Sequence, residues 1–122
     1  NGDQNIERRI NGSIIKQDQI IDALIEDYPE HWQLRVNSGY IKNQLLDAKA
    51  SEKRFQEALE LNPNSFESLR SLAFFHIETG DFTMLPIEDR DLKKAESYLE
   101  KIREIDPSSS RPDRYIGNIY IR

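Results

Sequence analysis

The chain has 122 residues, enough for one domain with its own core, and no cysteine, which excludes disulfides, zinc–thiolate sites and thiol nucleophiles. A formal charge of -5 weighs against a general nucleic-acid binder. Five glycines and five prolines are too few for a turn-rich β-sandwich, and a single valine beside many Leu, Ala, Glu, Lys and Gln points to helices. No apolar run is long enough to cross a bilayer, and no signal peptide stands at the start. The chain begins with Asn rather than Met, so a processed or excised piece is expected. Compartment is not readable. A soluble cytoplasmic protein is favoured, with export left open.

Taken in chain order, the pattern predicts a short helical piece at 3–10 and a turn at Asn11-Gly12. Helices follow at 14–28, 31–44, 47–61, 65–79, 91–105 and 111–121, giving six or seven in an all-α fold. One long helix through Gly12 is the alternative at the start. Ile10, Ile14, Gln17, Ile21, Leu24 and Tyr28 follow a 4-3 spacing that suits a coiled-coil seam. The Asn-Gly pair favours the broken version. Asn11-Gly12-Ser13 also matches a glycosylation sequon, but it reads as a structural turn. Ser65 and Ser110 are candidate N-caps, as are Asp89 and Asp91.

Three prolines close amphipathic stretches: IIDALIEDYP, FQEALELNP and YLEKIREIDP. Pro29 and Pro63 are 34 residues apart, and Pro63 and Pro107 are 44 apart, which is 34 with a ten-residue insertion. Ser51, Phe55 and Ala58 make a small-large-small stripe, matched by Ala95, Leu99 and Ile102. Gly39 stands where a small residue lets two helices approach, and His76 falls where it packs between helices. The inserted residues 83–92 read as an excursion that covers apolar surface with Met84, Leu85 and Ile87.

This pattern resembles the tetratricopeptide repeat (TPR), a 34-residue helix-turn-helix unit. The likeness spans nearly the whole chain as a single domain, residues 1–122. It comprises a partial repeat at 3–29, a repeat at 32–65, a repeat with the insertion at 66–109 and a first helix at 110–122. Arg35, Ser38 and Lys42 depart from it, standing in the Trp, Leu and Tyr slots, with Trp32 and Tyr40 off register. The resemblance implies a right-handed α-solenoid of antiparallel helix pairs whose first helices line a concave groove. Carried over, the groove slots include Gln33, Val36, Asn37, Tyr40 and Asn43, then Arg70, Ser71, Phe74 and Ile77. A last group holds Arg111, Arg114, Tyr115, Asn118 and Arg122. Its basic character implies a protein or peptide ligand with an acidic stretch or a free carboxylate. The subgroup that clamps chaperone C-termini has its binding positions at Val36, Tyr40, Ser71, Arg111 and Tyr115. Only Arg111 fits, so that ligand is not expected.

Reactive chemistry is sparse. His31 reads as a solvated residue at a helix start, and no set of three or four metal ligands shares a spacing. There is no glycine-rich phosphate loop, and the many acids read as solvated helix faces. The expectation is therefore a non-catalytic interaction scaffold with no cofactor, no metal, no nucleic acid and no membrane insertion. The alternatives are a self-associating structural segment or a regulatory repeat domain of a larger enzyme or membrane-associated protein. The C-terminal edge around Tyr115, Ile116, Ile119 and Tyr120 is the first half of a repeat and is expected to pack against a second copy or a foreign segment.

Overall fold

The computed structural model describes the backbone of residues 2–77 and 85–107, and the side chains of 12–77 and 85–107. The regular elements among the described residues are all helices, with no strand. Five α-helices run in order: α1 (Gly2–Asp27), α2 (Trp32–Gln44), α3 (Ala48–Leu61), α4 (Phe66–Phe74) and α5 (Leu92–Ile105). A short 3-10 turn, Ile87–Asp89, precedes α5. The predicted helix at 111–121 and the cap at Ser110 lie outside the described residues.

Side chains fix the helix starts. Asp47 accepts from Ala50 N at 3.1 Å, Ser65 from Ser68 N at 3.3 Å, and Asp91 from Lys93 N and Lys94 N at 2.9 and 3.3 Å. Each satisfies amide groups that the first helical turn leaves unpaired. Pro29, Pro63 and Pro107 follow the ends of α1, α3 and α5. The three-residue link between α2 and α3 forces the chain to reverse, with Leu46 in the left-handed region at φ 62°.

Two sequence expectations about helix limits are corrected. Asn11 and Gly12 form no turn: α1 passes through them as one 26-residue helix, so the separate pieces at 3–10 and 14–28 are a single element. A Cβ at Gly12 would meet nothing within 4 Å, so no close packing calls for glycine there. The second correction concerns 65–79, where the helix stops at Phe74. The inserted segment holds that end: Leu85 N donates to Phe75 O at 3.2 Å, taking the carbonyl that a longer helix would use itself.

The core forms two adjoining clusters. Val36, Ala48, Phe55, Ala58, Leu72, Phe75 and Leu85 make the first. Leu69, Ala73, Ile77, Ala95, Leu99 and Ile102 make the second, and Leu59 and Tyr98 pack against both. The expected stripes on α3 and α5 thus supply both centres; Ile116 lies outside the described residues. Phe55 meets Tyr40 edge-on at 5.2 Å and Phe75 at 6.1 Å. Of the insertion's apolar residues, Leu85 is buried while Ile87 faces water at 77% exposure, against expectation. Met84 is outside the described residues.

Candidate functional site

α2 turns one face toward α3 and leaves another open beside α4. The open side forms a concavity of about 420 Å³ lined by His31, Trp32, Gln33, Val36, Asn37, Tyr40 and Glu67. The i, i+3, i+4, i+7 spacing of Gln33, Val36, Asn37 and Tyr40 puts them on one helical face. Tyr40 is held at both ends: its ring rests on Phe55, and its hydroxyl accepts from Arg70 Nη2 at 3.3 Å. Arg70 also lies over the Phe66 ring, 5.7 Å from its centre. The result is a shallow, mixed surface with amide donors and acceptors, an aromatic wall and one carboxylate.

Of the fourteen groove-slot residues, the nine expected to contact a partner distribute as follows. Asn37 and Tyr40 line the concavity, and Arg70 borders it through Tyr40. Phe74 packs against the second cluster, half-buried. Ile77 is 3% exposed and belongs to that cluster, so it packs the core rather than facing a groove. The α4 helix ends before it, which breaks the spacing that had assigned it to the open face. Arg111, Arg114, Tyr115 and Asn118 lie outside the described residues. The basic group behind the expected acidic ligand is therefore outside as well.

A charge network that the sequence reading assigned to solvated faces ties three helices together. Lys42 Nζ lies 3.1 Å from Asp22 Oδ2 and 2.8 Å from Asp18 Oδ1, the latter a charge contact outside hydrogen-bond geometry. Arg54 Nη2 donates to Asp22 Oδ1 at 2.8 Å, and its Nη1 donates to Glu57 Oε1 at 3.1 Å. Arg35 extends the network, 3.9 Å from Glu57 and hydrogen-bonded to the Pro29 carbonyl. Partial burial alone would raise the Asp22 carboxyl, but hydrogen bonds and charge from Lys42 and Arg54 outweigh it and hold the group below its ordinary value. Burial opposes the charge on Lys42 too, and Asp18 and Asp22 overcome it, raising the ammonium. Arg54 is raised in the same way by Asp22 and Glu57.

His76 is buried where α3, α4 and the start of α5 meet. Its Nδ1 accepts from Asp91 N at 2.9 Å, which puts the neutral ring's proton on Nε2. That atom faces Glu52 Oε2 at 3.3 Å, outside hydrogen-bond geometry. His76 therefore packs between helices as expected, and it also anchors the return of the insertion. Tyr98 lies near the same carboxylate. Burial and then the Glu52 charge push its phenol up, against a hydrogen bond with Gln56. His31 stands at the α2 N-cap, exposed and without a side-chain cap bond.

Among the described residues no group of three or more His, Cys, Asp or Glu is placed to hold a metal ion. None of the described helices is long and apolar enough to cross a membrane. No family model matches the chain. The chain is similar to the Sol locus transcriptional repressor of Clostridium acetobutylicum, 26% identical over 91 residues that cover 75% of this chain and 27% of that protein. It thus spans about a quarter of that relative's length.

Proposed function

We propose that this chain is a non-catalytic interaction module of the tetratricopeptide type, a right-handed solenoid that holds a peptide or partner segment against α2 and α4. One observation carries the reading: Gln33, Val36, Asn37 and Tyr40, all in groove slots by resemblance, line one concavity with Glu67 of α4. Two further features support it. α2 pairs with α3 and α4 with α5, as successive repeats would. Arg35 and Lys42, which stand where the repeat carries Trp and Tyr, point inward and are paired with carboxylates instead. The departures from the repeat pattern thus keep their packing role with different chemistry.

The likeness to a transcriptional repressor favours a second, compatible reading: the module serves a regulator of transcription, binding a protein or peptide partner. The chain's charge of -5 speaks against nucleic acid as the direct ligand. A displayed peptide library selected on the whole chain tests the proposal. Enriched peptides should bind Asn37→Ala and Arg70→Ala about tenfold more weakly, as for residues central to an interface. Tyr40→Phe, which keeps the ring on Phe55 and removes only the hydroxyl, should weaken binding less. A library yielding no binder, or binders indifferent to all three changes, would overturn the proposal.

A further inference from the structure

α1 has two apolar stripes, and its own fold covers only one. Ile21 and Ile25 are buried, whereas Ile20, Leu24 and Tyr28 are 56%, 37% and 60% exposed. The latter three are four residues apart, so they form a single row along the outer face. Tyr28 continues the row past the helix end, because its N–H still bonds Leu24 O at 2.8 Å.

The charges beside this row identify its occupant. Lys16 continues the row one turn before Ile20, and Asp27, eleven residues on, lies within about 20° of Lys16 around the helix, so both charges stand on the same side of Leu24, one near each end. They are eleven residues apart, roughly 16 Å along the axis, too far to pair within one helix. Neither takes part in an ion pair among the described residues. Opposite charges equally far from a midpoint, on one side, are what a two-fold axis turns onto each other. A second α1 laid antiparallel, with the axis near residues 21–22, sets Lys16 against the partner's Asp27 at both ends. The same rotation sets Ile20 against the partner's Leu24. A parallel arrangement would oppose Lys16 to the partner's Lys16.

We infer that the outer face of α1 is a self-association surface, seating a second copy of this chain antiparallel through Ile20, Leu24 and Tyr28, with Lys16 and Asp27 setting the direction. None of Lys16, Ile20, Leu24, Asp27 and Tyr28 lines the concavity, so the two proposals are tested by different residues. The row is short, so the association is a weak one.

Sedimentation equilibrium on the whole chain across a wide concentration range, at low salt, provides the test. Wild type should dimerise, and Leu24→Glu should abolish the dimer while keeping the wild-type circular dichroism. Lys16→Glu and Asp27→Lys should each weaken self-association about tenfold, since each makes two like-charged contacts per dimer. An equimolar mixture of these two variants should dimerise nearly as well as wild type, because both contacts are then between opposite charges. This mixing arm stands even if Leu24→Glu unfolds the chain. Three results would overturn the inference: a monomer at every concentration, a dimer that survives Leu24→Glu through another surface such as the edge around Ile119, or a mixture no tighter than its components.

Discussion

The ring of Phe55 occupies the space that a side chain at Gly39 would need: a Cβ there would lie 2.7 Å from both Cε2 and Cζ. Ser51, one turn before Phe55, donates its hydroxyl to Gly39 O at 2.5 Å, so α2 and α3 meet backbone to side chain at this crossing. Phe55 is fully buried and cannot retreat cheaply. Gly39→Ala gains about 1 kcal/mol of helix propensity but overpacks the crossing at a cost of about 1–3 kcal/mol, for a net loss of up to about 2 kcal/mol. Phe55→Ala alone costs about 3–5 kcal/mol. In the Phe55→Ala background the ring is gone, and Gly39→Ala should become neutral or stabilising. Urea denaturation of the four proteins measures this coupling. Equal cost in both backgrounds would show that the ring is not what position 39 accommodates.

Gly12 presents the opposite case. It lies inside α1, with open space where a Cβ would be. Gly12→Ala should therefore strengthen the helix by about 0.5–1 kcal/mol and slow amide exchange around residue 12. A chain that turned at Asn11-Gly12 would respond in the other direction, losing helicity on the same substitution.

These two glycines show which parts of the structure are local enough to read. Gly39, the caps Ser65 and Asp91, the prolines and the Phe55–Ala58 and Leu99–Ile102 stripes are statements about neighbouring turns, and each is legible from spacing. Gly12 misleads because a propensity deficit of about 1 kcal/mol is small against a 26-residue helix. Ile77 misleads because the end of α4 is decided by a contact ten residues downstream, Leu85 N to Phe75 O. Lys42 lies 20 residues from Asp22, and Arg54 lies 32 residues from it. At those separations, nothing in a chain rich in acids distinguishes the paired carboxylate from a solvated one. Asn37 and Tyr40 of the concavity were found through resemblance. Glu67 joins them only when α4 is set beside α2.

The network around Asp22 gives stability a defined pH dependence. Its carboxyl is held below the ordinary value in the folded chain, so it contributes stability at neutral pH, and that contribution is lost as pH falls through the folded value. Lys42 is raised, so its contribution is complete at neutral pH and is lost only as pH rises through its folded value, on the far alkaline side. Asp22→Asn removes the carboxylate while keeping its shape. The Asp22 side chain is 40% exposed, so solvent screens both of its ion pairs, and the loss at pH 7 should be about 1 kcal/mol. The difference from wild type should begin to shrink as pH falls past the ordinary carboxylate value and vanish only below the lowered folded value, where wild-type Asp22 is itself protonated. It should persist up to the alkaline limb set by Lys42, which keeps Asp18 as a partner in the variant. Added salt should reduce it at neutral pH by screening the same pairs. Denaturation midpoints of both proteins across the acid range decide the matter. A difference that stays constant down to the lowest pH at which both fold would mean that Asp22 acts through shape and hydrogen bonding, without its charge.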